Sequence, residues 1–250
     1  MRTLLLLAVA CAACSAKIDA NPDQDGVDAS TAGDDAAVAI DGAGGDAAPV
    51  CANGRVVFLQ FDGQTLTKAA ASDATQNLAS WMTIATGTAP PYKNGSGTRT
   101  AEIQAIVDGM RAQLAPFNTQ VVTTRPTSGD YLMIVYGGQP NQVGSRFGGA
   151  VQALDCGDAV RNDVAWVSDN VAGTQRIVNF SIGAIGFGFG LTATLDPQDC
   201  MCGWDNQCTS DNSAPCTLTE GIARDPNANQ RCAGVTTQDE TTTFTNGFCN

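Results

Sequence analysis

Gly183-Ala184-Ile185-Gly186-Phe187-Gly188-Phe189-Gly190-Leu191-Thr192-Ala193 is the stretch whose reading decides the fold. It lies within an uncharged run from Ile177 to Leu195. Between Gly186 and Leu191, glycine alternates with apolar residues, which is the period of a strand. In a helix, Gly183, Gly186, Gly188 and Gly190 would each cost about 0.8–1 kcal/mol relative to alanine. The run also approaches the roughly 20 residues of a membrane span, with Gly186 and Gly190 spaced as a helix contact. Asn179, Ser181, Thr192 and Thr194 dilute that reading.

Composition narrows the chemistry. The 250 residues contain no histidine, carry a net charge of −12 and include only 6 % aromatic residues. Without histidine there is no imidazole ligand for zinc, no imidazole base and no Ser-His or Cys-His pair. An enzyme built on this chain would have to use carboxylates, Lys, Tyr or Cys. Asp62, Glu102 and Glu220 are candidates, though they form no recognisable carboxylate-pair motif. The acidic balance gives no basic face for nucleic acid, and none is expected as a partner.

The chain reads as four segments. Met1–Cys14 has the layout of an export signal, with Arg2, the apolar Leu4–Ala10 and the small-residue ending Ala-Cys-Ala-Ala-Cys-Ser. That ending resembles a bacterial lipobox. The resemblance implies a lipid on Cys14 (Cys11 is the second choice), and a membrane anchor at the outer membrane of the cell envelope, on its periplasmic or extracellular face. Ser15–Val50 sets eight Asp against Lys17 in an Ala/Asp/Gly-rich background. It reads as a disordered tether spanning roughly 35 Å. Within it, Asp23-Gln24-Asp25-Gly26-Val27-Asp28 lacks the Glu that closes an EF-hand loop. Residues 51–199 form the globular domain, and 200–250 a cysteine-rich C-terminal region dominated by loops.

Within the domain, Arg55–Phe61 predicts a strand with Val57, Leu59 and Phe61 on one face. Phe58 on the other face implies burial on both sides. Thr100 is the expected N-cap of a helix carrying Ile103, Ile106, Val107, Met110 and Leu114, ended before Pro116. Val121–Thr124, Tyr131–Tyr136 and Val164–Val167 predict further strands. The fold class is α+β, a twisted mixed sheet with two main helices. Behind an export signal, Cys51, Cys156, Cys200, Cys202, Cys208, Cys216, Cys232 and Cys249 predict four disulfides of open connectivity. Thiolate zinc binding by Cys200, Cys202, Cys208 and Cys216 does not fit zinc-ribbon spacing. Asp196 and Asp199 read as a solvated helix end rather than a cation site.

The frame Ile185-Gly186-x-x-Phe189-Gly190-Leu191 resembles the active-site helix of the metzincin (matrixin-type) zinc metalloproteases, H-E-x-x-H-x-x-G-x-x-H. The order strand, helix, strand, strand, helix is similar too. So are Asn118–Gly137 and Leu154–Val167 to secreted metzincin-like lipoproteins of Gram-negative soil bacteria. The resemblance implies that residues 177–193 are helical. It puts the first histidine on Gly183, the catalytic glutamate on Ala184, the second histidine on Phe187 and the third on Ala193. Glycine, alanine and phenylalanine offer no lone pair to a metal, so the expectation is no zinc and no cofactor. Phe187 is expected to fill the vacated volume, and Met201 is a doubtful counterpart of the methionine turn. The function this implies is a catalytically inactive, metzincin-like surface lipoprotein. It would hold an extended polypeptide in the former substrate groove or act structurally. The alternatives are a hydrolase with a non-histidine site and an unrelated disulfide-stabilised surface protein.

Overall fold

The computed structural model describes residues 54–234 and 236–249; the leader, the tether and Cys51 lie outside the described residues. The chain forms β1 (Val56–Gln60), β2 (Gln64–Lys68), β3 (Leu78–Ala79), β4 (Thr86–Ala89), α1 (Arg99–Leu114) and a 3-10 turn (Ala115–Phe117). Next come β5 (Val121–Val122), β6 (Tyr131–Tyr136), α2 (Pro140–Val143), β7 (Ala150–Val151), β8 (Val164–Val167) and α3 (Thr174–Gly188). The C-terminal region adds β9 (Ile222–Ala223), β10 (Thr237–Gln238) and α4 (Glu240–Cys249).

The main sheet has the order β5-β1-β6-β8-β7. The first four strands are parallel, and β7 closes one edge antiparallel to β8. As expected of a sheet buried on both faces, its strands are continuous apolar runs. Val57, Leu59, Leu132 and Ile134 face the core shared with α1 and α3. Phe58, Met133, Val135 and Trp166 face the second layer, the small sheet β3-β2-β4. Phe58 therefore does what its place opposite Val57 and Leu59 predicts. The small sheet gave no sequence signal, because in Gln64–Lys68 only Leu66 is buried.

Several expectations need correction. Helix α1 starts at Arg99 after Thr98, not after Thr100. The Thr98 hydroxyl donates to Glu102 Oε1 at 2.6 Å, and Glu102 N–H donates to the Thr98 carbonyl at 3.0 Å. The strand predicted over Val121–Thr124 is only Val121–Val122. Among the described residues there are not two substantial helices but three, because Glu240–Cys249 forms α4. Its Thr- and Asn-rich sequence has weak helix propensity. Phe244 and Phe248, both fully buried against Phe117 and Phe189, hold it in place. Such burial contributes about 1.5–3 kcal/mol per side chain.

Neither the strand reading nor the span reading of the central stretch holds. Thr174–Gly188 is α-helical, and among the described residues no helix is long and apolar enough to cross a membrane. The helix is also shorter than the expected 177–193. It stops at Gly188, and Gly190 takes φ +87°, which favours glycine. Leu191 N–H donates to the Gly186 carbonyl at 2.9 Å and Gly190 N–H to that of Phe187 at 3.2 Å, the paired bonds of a Schellman end. Thr192 and Ala193 then run on as irregular chain.

Three disulfides join Cys156–Cys232, Cys200–Cys216 and Cys202–Cys208, and Cys249 is disulfide-bonded as well. Cys156–Cys232 binds the C-terminal region to the sheet-and-helix body, while Cys200–Cys216 and Cys202–Cys208 close loops within that region, which sends Met201 and Trp204 into the core.

Candidate functional site

The glycines of α3 are where other parts of the chain come closest. A Cβ on Gly183 would lie 1.9 Å from Trp204 Nε1 and 2.7 Å from the Cys200 carbonyl oxygen. One on Gly186 would lie 2.7 Å from Met201 Sδ. These contacts explain why a helix with poor propensity forms: only glycine lets the segment 200–204 rest on it, and burial offsets the cost. Asn179 fastens the same face. Its Nδ2 donates to the Ala214 carbonyl at 3.0 Å, and its Oδ1 accepts from Cys216 N–H at 3.1 Å.

The four positions that matter to the resemblance are all buried. Ala184 and Phe187 are 1 % exposed and Ala193 is 0 % exposed. Gly183 is buried too, under the Trp204 indole. The ring of Phe187 lies 5.5 Å from that of Trp204. Apolar bulk therefore packs on this part of α3, much of it from Trp204, a residue that sequence reasoning missed. Trp204 sits twenty-one positions from Gly183, and its only local sign was a large aromatic residue between Cys202 and Cys208. Met201, fully buried against Gly186, lies directly under the helix. The residues at this place do not fit zinc, since none carries a donor atom suited to it.

Beside this plug the surface is concave. A cavity of about 220 Å³ is walled by Phe147, Phe180, Phe187 and Trp204 and floored by Ala150 and Val151 of the edge strand β7. It continues into a wider hollow of about 700 Å³ reaching Lys68, Trp81 and Arg146. Phe147, Val151, Gln152, Asp205 and Gln230 line both. Together they make a groove along β7. Two oxygens of its lining, Gln152 Oε1 and Asp205 Oδ2, are buried without a hydrogen-bond partner.

The other predicted residues do not assemble into a site. Asp62 pairs with Arg99 at 2.7 Å. Glu102 binds Lys93 and the Tyr92 hydroxyl, and these bonds with Thr98 hold its carboxyl below the ordinary range. Glu220 accepts from Thr242 N–H at 2.9 Å. Asp196 is exposed and accepts from Gln198 N–H. Asp199 departs from the solvated reading: it is 1 % exposed and accepts from the Thr194 hydroxyl at 2.8 Å and from Met201 N–H at 2.8 Å. The calcium-like stretch Asp23–Asp28 lies outside the described residues. Asp155, Asp158 and Asp163 do converge, but two guanidinium groups already occupy their surroundings. Arg55 Nη2 lies 2.8 Å from Asp158 Oδ2, and Arg161 Nη1 lies 3.0 Å from the same oxygen.

Two buried carboxyls tie stability to pH. Burial first, then repulsion from Asp155, pushes Asp163 up to about 8. Glu240 is fully buried, so burial and then the neighbouring Asp199 carboxylate raise it far above its ordinary 4.5. Both groups bind their protons more tightly folded than unfolded. Their stabilisation is complete below the unfolded values and is lost as pH rises toward the folded ones. Stability should therefore decline from about pH 5 toward pH 8, at most about 1.4 kcal/mol per pH unit for each group. Below that range the lowered carboxyls of Asp73 and Glu102 oppose the trend. Melting temperatures from pH 4 to 9 check this, and Glu240→Gln should flatten the alkaline limb. An unchanged slope in that variant would contradict the raised Glu240 carboxyl.

Compared with protein-family models, curated proteins and solved structures, the chain finds no match in any of the three.

Proposed function

We propose that this chain is a catalytically inert, metzincin-like protein of the cell envelope, whose groove along β7 binds an extended polypeptide. One observation carries the reading. Gly183, Ala184 and Phe187 in α3 and Ala193 beyond its end are all buried, and the Trp204 indole lies against Gly183 and beside Phe187. Two further features support it. Helix α3 ends on a positive-φ Gly190, where the frame has its glycine, and Met201 lies beneath the helix.

With the donors gone, no bound water can be activated in the way the family requires. The same change leaves a dry, aromatic-walled groove beside an edge strand. An edge strand offers backbone hydrogen bonds to an incoming segment, and side-chain pockets beside it supply selectivity. The lipid on Cys14 would hold this domain at a membrane through the acidic tether.

The test is cleavage of casein and gelatin by the purified mature chain, with and without a chelator. The expected result is no cleavage above buffer under either condition. Cleavage abolished by the chelator would overturn the reading in favour of a metal site. Chelator-resistant cleavage would favour the hydrolase alternative.

A further inference from the structure

The proposed groove is chemically uneven along its length. At one end, Phe147, Phe180, Phe187 and Trp204 surround the cavity of about 220 Å³. Aromatic walls of this kind suit a bulky apolar side chain, and Phe147 is 43 % exposed at the rim. At the other end stand Lys68 and Arg146. Among the described residues, neither side chain makes an ion pair or hydrogen bond. In a chain of net charge −12, these two unpaired cations outnumber the one carboxylate of the hollow, Asp205, and leave it locally positive. Between the two ends lie Gln152 and Gln230, whose side chains are polar and uncharged. Gln152 is only 4 % exposed.

We infer, resting on the proposed groove, that its occupant is an acidic extended polypeptide: a bulky apolar side chain enters the Phe180–Trp204 cavity and carboxylates meet Lys68 and Arg146. Selectivity therefore comes from the two ends, apolar contact at one and charge at the other.

Fluorescence anisotropy with the mature chain tests this. The probe is a labelled Thr/Val-rich peptide carrying one Phe and, farther along, two Asp residues. Replacing its Phe by Ala, or its Asp residues by Lys, should weaken binding about fivefold or more, the effect of roughly 1 kcal/mol. The K68E/R146E double variant should reverse the order, preferring the Lys peptide. Both cations are exposed, so the fold should survive, and circular dichroism checks that it does. Phe147→Ser should remove the Phe preference and leave the charge preference. Equal binding of the Asp and Lys peptides would overturn the inference while leaving the groove reading intact. Binding of no peptide would overturn both. Self-association of the native chain, dispersed by K68E/R146E, would make a second copy the occupant and end the assignment.

Discussion

Replacing Gly183 by histidine, the residue the zinc-protease frame has there, should destabilise this protein by more than about 3 kcal/mol. Even a methyl group would meet Trp204 Nε1 at 1.9 Å and the Cys200 carbonyl oxygen at 2.7 Å. Neither can yield easily. The indole packs against Phe187, while Cys200 is held by its bond to Cys216 and donates its N–H to the Thr217 carbonyl at 2.9 Å. Overpacking a dense core typically costs about 1–3 kcal/mol, and an imidazole adds five ring atoms beyond the first clash. Urea denaturation of Gly183→His measures the loss. The companion variant Trp204→Ala loses stability on its own, by about 3–5 kcal/mol if the site does not collapse. In the double variant the imidazole occupies space the indole has left, so the two losses should not add. A Gly183→His protein as stable as the native one would mean that the indole does not occupy this place. For the same reason, grafting histidines at 183, 187 and 193 with glutamate at 184 should fail to fold unless Trp204 is shortened too.

The second large effect is loss of the Cys156–Cys232 bridge. It closes a loop of 76 residues, against 16 for Cys200–Cys216 and 6 for Cys202–Cys208. On the chain-entropy account, removing them costs about 4.5, 3 and 2 kcal/mol in that order. Local packing points the same way for the longest. Cys156 lies against the turn at Gly190, where an added Cβ would come within 2.9 Å of the Asp155 carbonyl oxygen. Its bridge fixes that turn to the C-terminal region. Paired Cys→Ala variants compared by thermal melting give the ranking. Equal losses from all three, or the largest from Cys202–Cys208, would contradict it.

What the sequence revealed followed the length scale of each signal. The strands β1, β6 and β8 and the helix α1 are runs whose apolar spacing is local, and they stand where that spacing puts them. Gln64–Lys68 and Ala150–Val151 are too polar or too short to signal a strand, yet one founds the second layer and the other forms the groove's edge. Helix α4 was illegible for a different reason. Thr241, Thr242, Thr243 and Asn246 argue against helix, and only tertiary burial of Phe244 and Phe248 overrides them. At the site, the helix expected over 177–193 stands over Thr174–Gly188. Periodicity alone pointed to a strand, because a helix whose small face receives another segment looks locally like a glycine repeat. Trp204, Gln152 and Asp205 were missed because their roles come from contacts distant in sequence.

Metal content tests the central claim most directly. The purified mature chain, equilibrated with excess zinc and then dialysed, should hold no stoichiometric zinc by mass spectrometry. One tightly held zinc per chain would contradict the account, because no donor set at the end of α3 is left to bind it.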